Sequence, residues 1–315
     1  MMYVGIDVSK DAFDVAWLEG ERLHTRRYPY TDAGIEQLLD ETSHEAHYVM
    51  EATGVYHSRL ALGLHQAGRC VSVINPLVIK RFGQMRLSRV KSDKADAQLI
   101  CEYAHAHAPA VWAPRDEVIV ELSQAHGWMN DLTVERTRVI NRREALLHQG
   151  RQSRFVLTQM DQQLNHLANQ IAECEQHLER IVKKHFAPLY KRLRSIKSIG
   201  PKTAIELITI THGFTRFDRV KSLSAYVGLS PTTYRSGVSV RGTGHIAKMG
   251  NGRMRQLLYM CSWTARTCNH ACAQLYQRLQ AAGKPAKVIN IAIAHKLLRQ
   301  AFAVATKNEL YCECQ

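Results

Sequence analysis

No apolar run in this 315-residue chain approaches membrane-spanning length, and the basic–apolar–small order of a secretory signal is missing from its start. Together these absences predict a cytoplasmic protein. The eight cysteines contain no paired C-x₂-C module. Neither Cys268-Asn269-His270-Ala271-Cys272 nor Cys312-Glu313-Cys314 is therefore expected to hold zinc. Cys70, Cys101 and Cys174 sit singly in apolar patterns and are expected as small core residues, and disulfides are not expected in that compartment. Acidic residues are scarce, with 28 Asp+Glu against 42 Lys+Arg, for a net charge of +14. From 183 to 255 fifteen Lys and Arg are opposed only by Glu206 and Asp218, so this segment carries nearly all of the excess. A concentration of that kind points to an anionic polymer, with phosphate as the counter-charge.

The length suggests two domains with a linking segment, and 45% hydrophobic residues are enough for a sizeable core. Up to about residue 110, strands and helices alternate. Strands are expected near 3–8, 13–18 and 23–30, then a helix over 32–41 and a strand ending at Glu51. A helix over 57–66 and a strand over 70–74 follow, and the next helix is the one that carries Asp93 and Asp96. Three early strands joined by hairpins, then strand–helix alternation, is the order expected of a ribonuclease-H-like α/β domain. Proline is absent from Glu117 to Ile181. There Leu157, Met160, Leu164, Leu167, Ile171, Cys174, Leu178 and Ile181 recur at spacings of three and four, a heptad seam. Leu122, Ala125, Met129, Leu132, Val139 and Leu146 keep the same rhythm, interrupted by Arg136 and Arg143, and Gly150 marks a turn between the halves. The pattern fits either an antiparallel pair within one chain or an arm that pairs between subunits. Residues 285–307 read as an amphipathic helix closing a mainly α C-terminal domain. The expected boundaries are 1–112, 113–184 and 185–315.

Four acids carry the chemistry. Asp7 lies inside the strand Tyr3-Val4-Gly5-Ile6-Asp7-Val8, and Glu51 ends the strand Tyr48-Val49-Met50-Glu51. Asp93 and Asp96, three residues apart, share one face at the start of a helix. A carboxylate in a buried strand is costly unless a positive charge answers it. Mg²⁺ suits hard oxygen ligands and keeps positions open for phosphate oxygens, and a metal pair can hold both the attacking and leaving oxygens of a phosphoryl transfer.

Two motifs stand in the basic segment. Ser198-Ile199-Gly200-Pro201-Lys202-Thr203-Ala204 ends one helix and opens another, with Pro201 at a first helical position and amides free to meet a phosphate. It resembles the hairpin of helix-hairpin-helix elements, which grip nucleic-acid backbone without reading sequence. Tyr226 to Asn251 is rich in glycine, hydroxyls and cations. Ser236, between Arg235 and Gly237, is its candidate nucleophile or phosphate contact, with Ser230 and Ser239 as neighbouring hydroxyls. Gly200, Lys202, Thr203, Arg235, Arg241, Lys248 and Arg253 are the expected nucleic-acid contacts.

Five motifs in order resemble the DEDD class of insertion-sequence transposases, and also the Piv-type DNA invertases. They are Gly5-Ile6-Asp7-Val8-Ser9-Lys10, Met50-Glu51-Ala52-Thr53-Gly54, Lys91-Ser92-Asp93-Lys94-Ala95-Asp96-Ala97, Ile199-Gly200-Pro201-Lys202-Thr203-Ala204, and Gly228-Leu229-Ser230-Pro231 running on to Ser236-Gly237 and Lys248-Met249-Gly250-Asn251. The resemblance spans essentially the whole chain. It implies a RuvC-like N-terminal domain, a coiled-coil insertion and a C-terminal transposase domain. It makes Asp7, Glu51, Asp93 and Asp96 a tetrad for Mg²⁺, with Mn²⁺ able to take its place. Ser236 becomes the serine that attacks the scissile phosphate and forms a covalent protein–DNA intermediate. It further implies dimers that pair into tetramers, acting on element ends and target DNA chosen by a structured bridge RNA. A Holliday-junction-type metal-dependent endonuclease and a non-catalytic nucleic-acid-binding protein are the rival readings.

Overall fold

A computed structural model of the chain describes residues 2–87, 92–232, 235–236, 240–241, 245–246 and 250–313. They form two compact units, Met1–Arg115 and Asp116–Gln315. The first unit is built on a five-stranded sheet of β1 (Tyr3–Val8), β2 (Ala12–Glu19), β3 (Arg22–Pro29), β4 (His47–Glu51) and β5 (Cys70–Ile74). The spatial order is β3-β2-β1-β4-β5. Strands β1 to β3 are antiparallel neighbours, whereas β4 pairs in parallel with both β1 and β5.

Alternation along the strands explains the layers. Val4, Ile6, Phe13, Val15, Trp17, Tyr48 and Met50 point to one face, where they pack with Ile35 and Leu38 of α1 (Asp32–Glu41) and with Leu60, Ala61 and Leu64 of α2 (Tyr56–Gln66). The opposite face carries Ala16 and Val49, which meet Ile79 of α3 (Pro76–Met85) and Ala97, Ile100, Cys101 and Ala104 of α4 (Asp93–His107). Helix α3 is an addition to the expected order. Its start is encoded by Asn75, whose side chain accepts from the Leu77 amide at 2.9 Å, and by Pro76 in its first turn. Cys101 is buried and Cys174 half-buried, but Cys70 is exposed at the first position of β5, which corrects the expectation of a core residue there.

His47 is buried in β4, where its Nε2 stands 2.7 Å from Ser72 Oγ. That hydroxyl donates in turn to the Ala110 carbonyl at 2.6 Å. Burial holds the imidazole below its usual 6.5. The unfolded chain therefore takes up a proton that the folded His47 refuses as pH falls through the ordinary histidine range. We expect the gap in melting temperature between wild type and His47→Gln to be widest near pH 7.5 and to narrow towards pH 5.5. A gap that stays constant with pH would remove His47 as the titrating group.

Among its described residues the second unit is helical apart from two short antiparallel strand pairings. Helices α5 (Glu117–Leu147) and α6 (Arg154–His185) lie antiparallel, with Leu132 and Val139 against Leu167. Arg143 Nε donates to Asp161 Oδ1 at 2.7 Å near the turn, and His177 pairs with Glu121 at 3.0 Å near the base. These contacts are made within one chain. Below the hairpin, Ile119, Leu122, Leu178 and Val182 join a single core with α7 (Ala187–Ser195), α8 (Pro201–Thr211), α9 (Val220–Val227), α10 (Gly252–Cys268), α11 (His270–Ala281) and α12 (Ala286–Lys307). Helix α12 corrects the expectation that no run approaches membrane-spanning length: it is long and apolar enough by composition to cross a membrane. Here Ile293, Leu297, Leu298 and Ala301 spend that apolar surface inside the helical core, as expected of a closing helix.

Candidate active site

The same alternation that builds the core brings carboxylates onto one side of the sheet. Asp7 follows Gly5 on the α4 face of β1, and Asp14 lies directly across from it on β2. Glu51 follows Val49 on the α4 face at the end of β4, which neighbours β1. Helix α4 begins above them. Ser92 caps it by accepting from the Ala95 amide at 3.2 Å, and Asp93 and Asp96 occupy its first turn, where the helix dipole favours negative charge.

The closeness of α4 to the sheet is set at Gly5. A Cβ there would meet the Cys101 amide nitrogen at 2.3 Å and the Ala97 carbonyl oxygen at 2.4 Å. With Ala16, Ala97 and Cys101 as its other small neighbours, the helix backbone rests almost on β1. Its first turn is thereby lowered towards Asp7.

The electrostatics follow from this geometry. Burial, then the charges of Asp96, Asp93, Glu51 and Asp14, push the Asp7 carboxyl up to about 6. Burial raises Asp14 as well, with Asp93 adding to it and Arg27 opposing. Arg27 Nη1 stands 3.5 Å from Asp14 and 3.6 Å from Asp93, a cation at the edge of the cluster. Thr53 Oγ1 donates to Glu51 Oε1 at 2.7 Å. The other three sequence-predicted acids are thus all within electrostatic reach of Asp7. Asp14 is a fifth that sequence reasoning missed: its signal, a charge in the apolar run Phe13-Asp14-Val15, needs the β1–β2 register to acquire meaning.

Among the described residues no three acidic, His or Cys side chains are gathered tightly enough to hold one ion. The donor set is nonetheless what a hard divalent cation takes: carboxylate oxygens only, one of them partly buried with its charge largely unanswered.

In the second unit Gly200 and Pro201 open α8 without a side-chain cap, which leaves its first amides free of side-chain acceptors. Ser198 precedes them at φ 86°, a left-handed conformation that is uncommon for serine. Lys202 Nζ is held 2.5 Å from Glu175, and Thr203 is buried with its hydroxyl 3.3 Å from Cys261 Sγ, so Thr203 offers a ligand its backbone amide. Arg253 lies on the first turn of α10. The serine-bearing segment is closed at its base by Asn251, whose amide donates to the Tyr226 carbonyl at 3.0 Å. Beside it Gly250, at φ 106°, comes so close that a Cβ would stand 2.7 Å from that same oxygen. Within the segment β6 (Pro231–Thr232) pairs with β9 (His245–Ile246), and β7 (Arg235–Ser236) pairs with β8 (Val240–Arg241). Ser236 is thus in a short antiparallel pairing, its backbone opposite Val240. Lys248 and Ser239 lie outside the described residues, as do the side chains of Arg235, Ser236 and Arg241. Ser230, which is described, ends the turn after α9.

Two family models match the chain. A transposase model of the DEDD, IS110 type matches residues 4–151, and one described as transposase, IS116/IS110/IS902 family, matches residues 190–277. Over 97% of its length the chain is 28% identical to the pilin gene-inverting protein of Moraxella lacunata, of which it covers 96%. The corresponding protein of Moraxella bovis gives the same identity and coverage. The chain is also 25% identical, over 81% of its length and 75% of the relative, to the transposase for insertion sequence element IS1111A of Coxiella burnetii.

Proposed function

This chain belongs to the IS116/IS110/IS902 family of DNA transposases and recombinases, and from that premise we propose that it cuts and rejoins DNA at mobile-element ends through a carboxylate–metal centre and a serine nucleophile. The observation that carries the proposal is the gathering of Glu51, Asp93, Asp96 and Asp14 around Asp7, whose carboxyl is pushed up to about 6 by burial first and by those four charges after it. A purely structural acid would be placed where water or a cation relieves it; here the chain adds four further negative charges. The sheet order, with two strands antiparallel on one side of β1 and two parallel on the other, supports a ribonuclease-H-like, RuvC-like architecture for the first unit. The antiparallel hairpin supports the coiled-coil arm.

Asp7, Glu51, Asp93 and Asp96 would hold Mg²⁺, or Mn²⁺ in its place. When bound there, the metal supplies Lewis-acid polarisation of a phosphate oxygen. The chain's own work is positional. Gly5 fixes the height of α4 over the sheet, Ser92 fixes where α4 starts, and Arg27 steadies Asp93 and Asp14. Ser236 Oγ attacks the scissile phosphorus: an Oγ–P bond forms, the P–O bond to the departing strand breaks, and the hydroxyl proton ends on the leaving oxygen. Rejoining runs the same exchange in reverse with a new strand end. Gly200, Lys202, Thr203, Arg235, Arg241, Lys248 and Arg253 hold phosphate, and the density of charge around them suits a structured guide RNA as well as DNA. The working form is a dimer pairing into a tetramer in the cytoplasm.

Covalent trapping tests the proposal. Protein, co-expressed RNA and labelled element-end DNA are incubated with Mg²⁺ and run on a denaturing gel. A protein–DNA adduct is expected in wild type and not in Ser236→Ala or Asp93→Asn. An adduct that persists in Ser236→Ala assigns the nucleophile elsewhere, and cut DNA without any adduct replaces serine attack by hydrolysis.

A further inference from the structure

The second unit contains a cleft of about 830 Å³ between the base of the helical hairpin, the start of α8 and the first turns of α10. Its charges do not cancel. Three acids line it, and each is answered: Glu175 by Lys202 at 2.5 Å, Glu179 by Lys183 at 3.0 Å, and Glu206 by contact with His126. Arg136 of α5 and Arg253 of α10 line it too, and neither forms an ion pair among the described residues. Two donors in the wall are desolvated and unused: Arg253 Nε and Ser198 Oγ are both buried with no hydrogen-bond partner. Buried donors without acceptors are rare in native proteins and call for an acceptor-bearing ligand. At the floor lies Glu206, 2% exposed. Its Oε2 is in contact with His126 Nε2, whose other ring nitrogen stands 3.2 Å from Asn130 Nδ2. Ile171 and Met260 add apolar wall.

A phosphate alone would leave most of this volume empty. We propose that the cleft binds one unstacked nucleotide of the nucleic acid on which the protein acts. Its phosphate meets Arg253, Arg136 and Ser198, and its base lies against Ile171 and Met260. The volume falls within the roughly 300–1,000 Å³ usual for small-ligand sites. The inference rests on the transposase reading for its ligand class. It adds Ser198 and Arg136 to the nucleic-acid contacts.

The test uses the full chain carrying Ser236→Ala, so that no strand chemistry intervenes, with nucleoside monophosphates and inorganic phosphate as probes in ligand-observed NMR titrations. GMP, AMP and CMP are expected to bind at least about 5-fold more tightly than inorganic phosphate, since the base adds its own contacts. Arg253→Ala is expected to weaken them about 10-fold. Met260→Trp, at a position 61% exposed in the cleft wall, is expected to block them without lowering the melting temperature. Comparison of GMP with dGMP assigns the strand as RNA or DNA. Phosphate binding as tightly as the nucleotides, or nucleotide binding that survives Met260→Trp, overturns the proposal. The trapping experiment reads cleavage chemistry in the active protein, so the two readings fail separately.

Discussion

Asp7→Asn protein is expected to lose strand cleavage by a factor on the order of 10³, about 4 kcal/mol of transition-state stabilisation, while its fold becomes more stable in metal-free buffer. The two effects have one cause. Burial and four neighbouring carboxylates hold the Asp7 carboxyl at about 6 against an ordinary 3.8. In the folded state its ionised form is therefore a cost, present above pH 6 and relieved as the group protonates towards 3.8. Removing the charge should return about 1 kcal/mol at neutral pH, once the partial exposure of the site is allowed for. Added Mg²⁺ should raise the melting temperature of wild type and leave that of Asp7→Asn almost unmoved, because a ligand stabilises only the state that binds it. Thermal melts with and without Mg²⁺, run beside the cleavage assay, settle the matter. A destabilised Asp7→Asn protein that still responds fully to Mg²⁺ would mean that Asp7 is a structural acid.

The second large effect is expected at Gly5, which is outside the acid cluster. In Gly5→Ala the new methyl would overlap the backbone of α4 at Ala97 and Cys101, where no side chain can swing aside. Overpacking of this kind typically costs about 1–3 kcal/mol, and a clash with two backbone atoms belongs at the upper end. The helix has to lift, and the first turn bearing Asp93 and Asp96 lifts with it. Cleavage should therefore fall at least tenfold even at temperatures where the protein remains folded. Gly63→Ala is the control: in α2 its methyl would meet only the tip of Ile35 at 3.9 Å, and alanine is the better helix former. If Gly5→Ala melts and cleaves like Gly63→Ala, the height of α4 does not govern the site.

Most of the first unit was legible because its signals are local. The helix Asp32–Glu41 and the strands Tyr3–Val8 and Cys70–Ile74 fall where periodicity and turn residues put them, and the other early strands shift by about a residue. Helix α3 was missed although Asn75-Pro76 announces a start, because those two residues serve equally well to end a strand. The acids Asp7, Glu51, Asp93 and Asp96 could be picked out one by one, yet their convergence depends on pairing register and on how closely α4 packs. Asp14 entered the site only through its cross-strand position. In the second unit Arg136 and Arg143 were visible as faults in a heptad seam. Their meaning is tertiary: Arg143 reaches Asp161 across the hairpin, and Arg136 turns towards the cleft. His126 and Glu206 lie far apart in the chain, and nothing local in either helix announces that they touch.

The helical hairpin is anchored unevenly. At its base Ile119, Leu122 and Val182 belong to the C-terminal core; midway Leu132, Val139 and Leu167 touch only hairpin partners; near the turn Leu147 and Phe155 are 41% and 73% exposed. Local opening should therefore be graded along two continuous helices. Amide hydrogens near the turn will exchange within the fastest classes, those around Val139 and Leu167 more slowly, and those beside Leu122 and Val182 only when the whole unit unfolds. The arm behaves as a cantilever, clamped at one end and increasingly compliant towards the other, so that its tip can adapt to a surface without loosening its root.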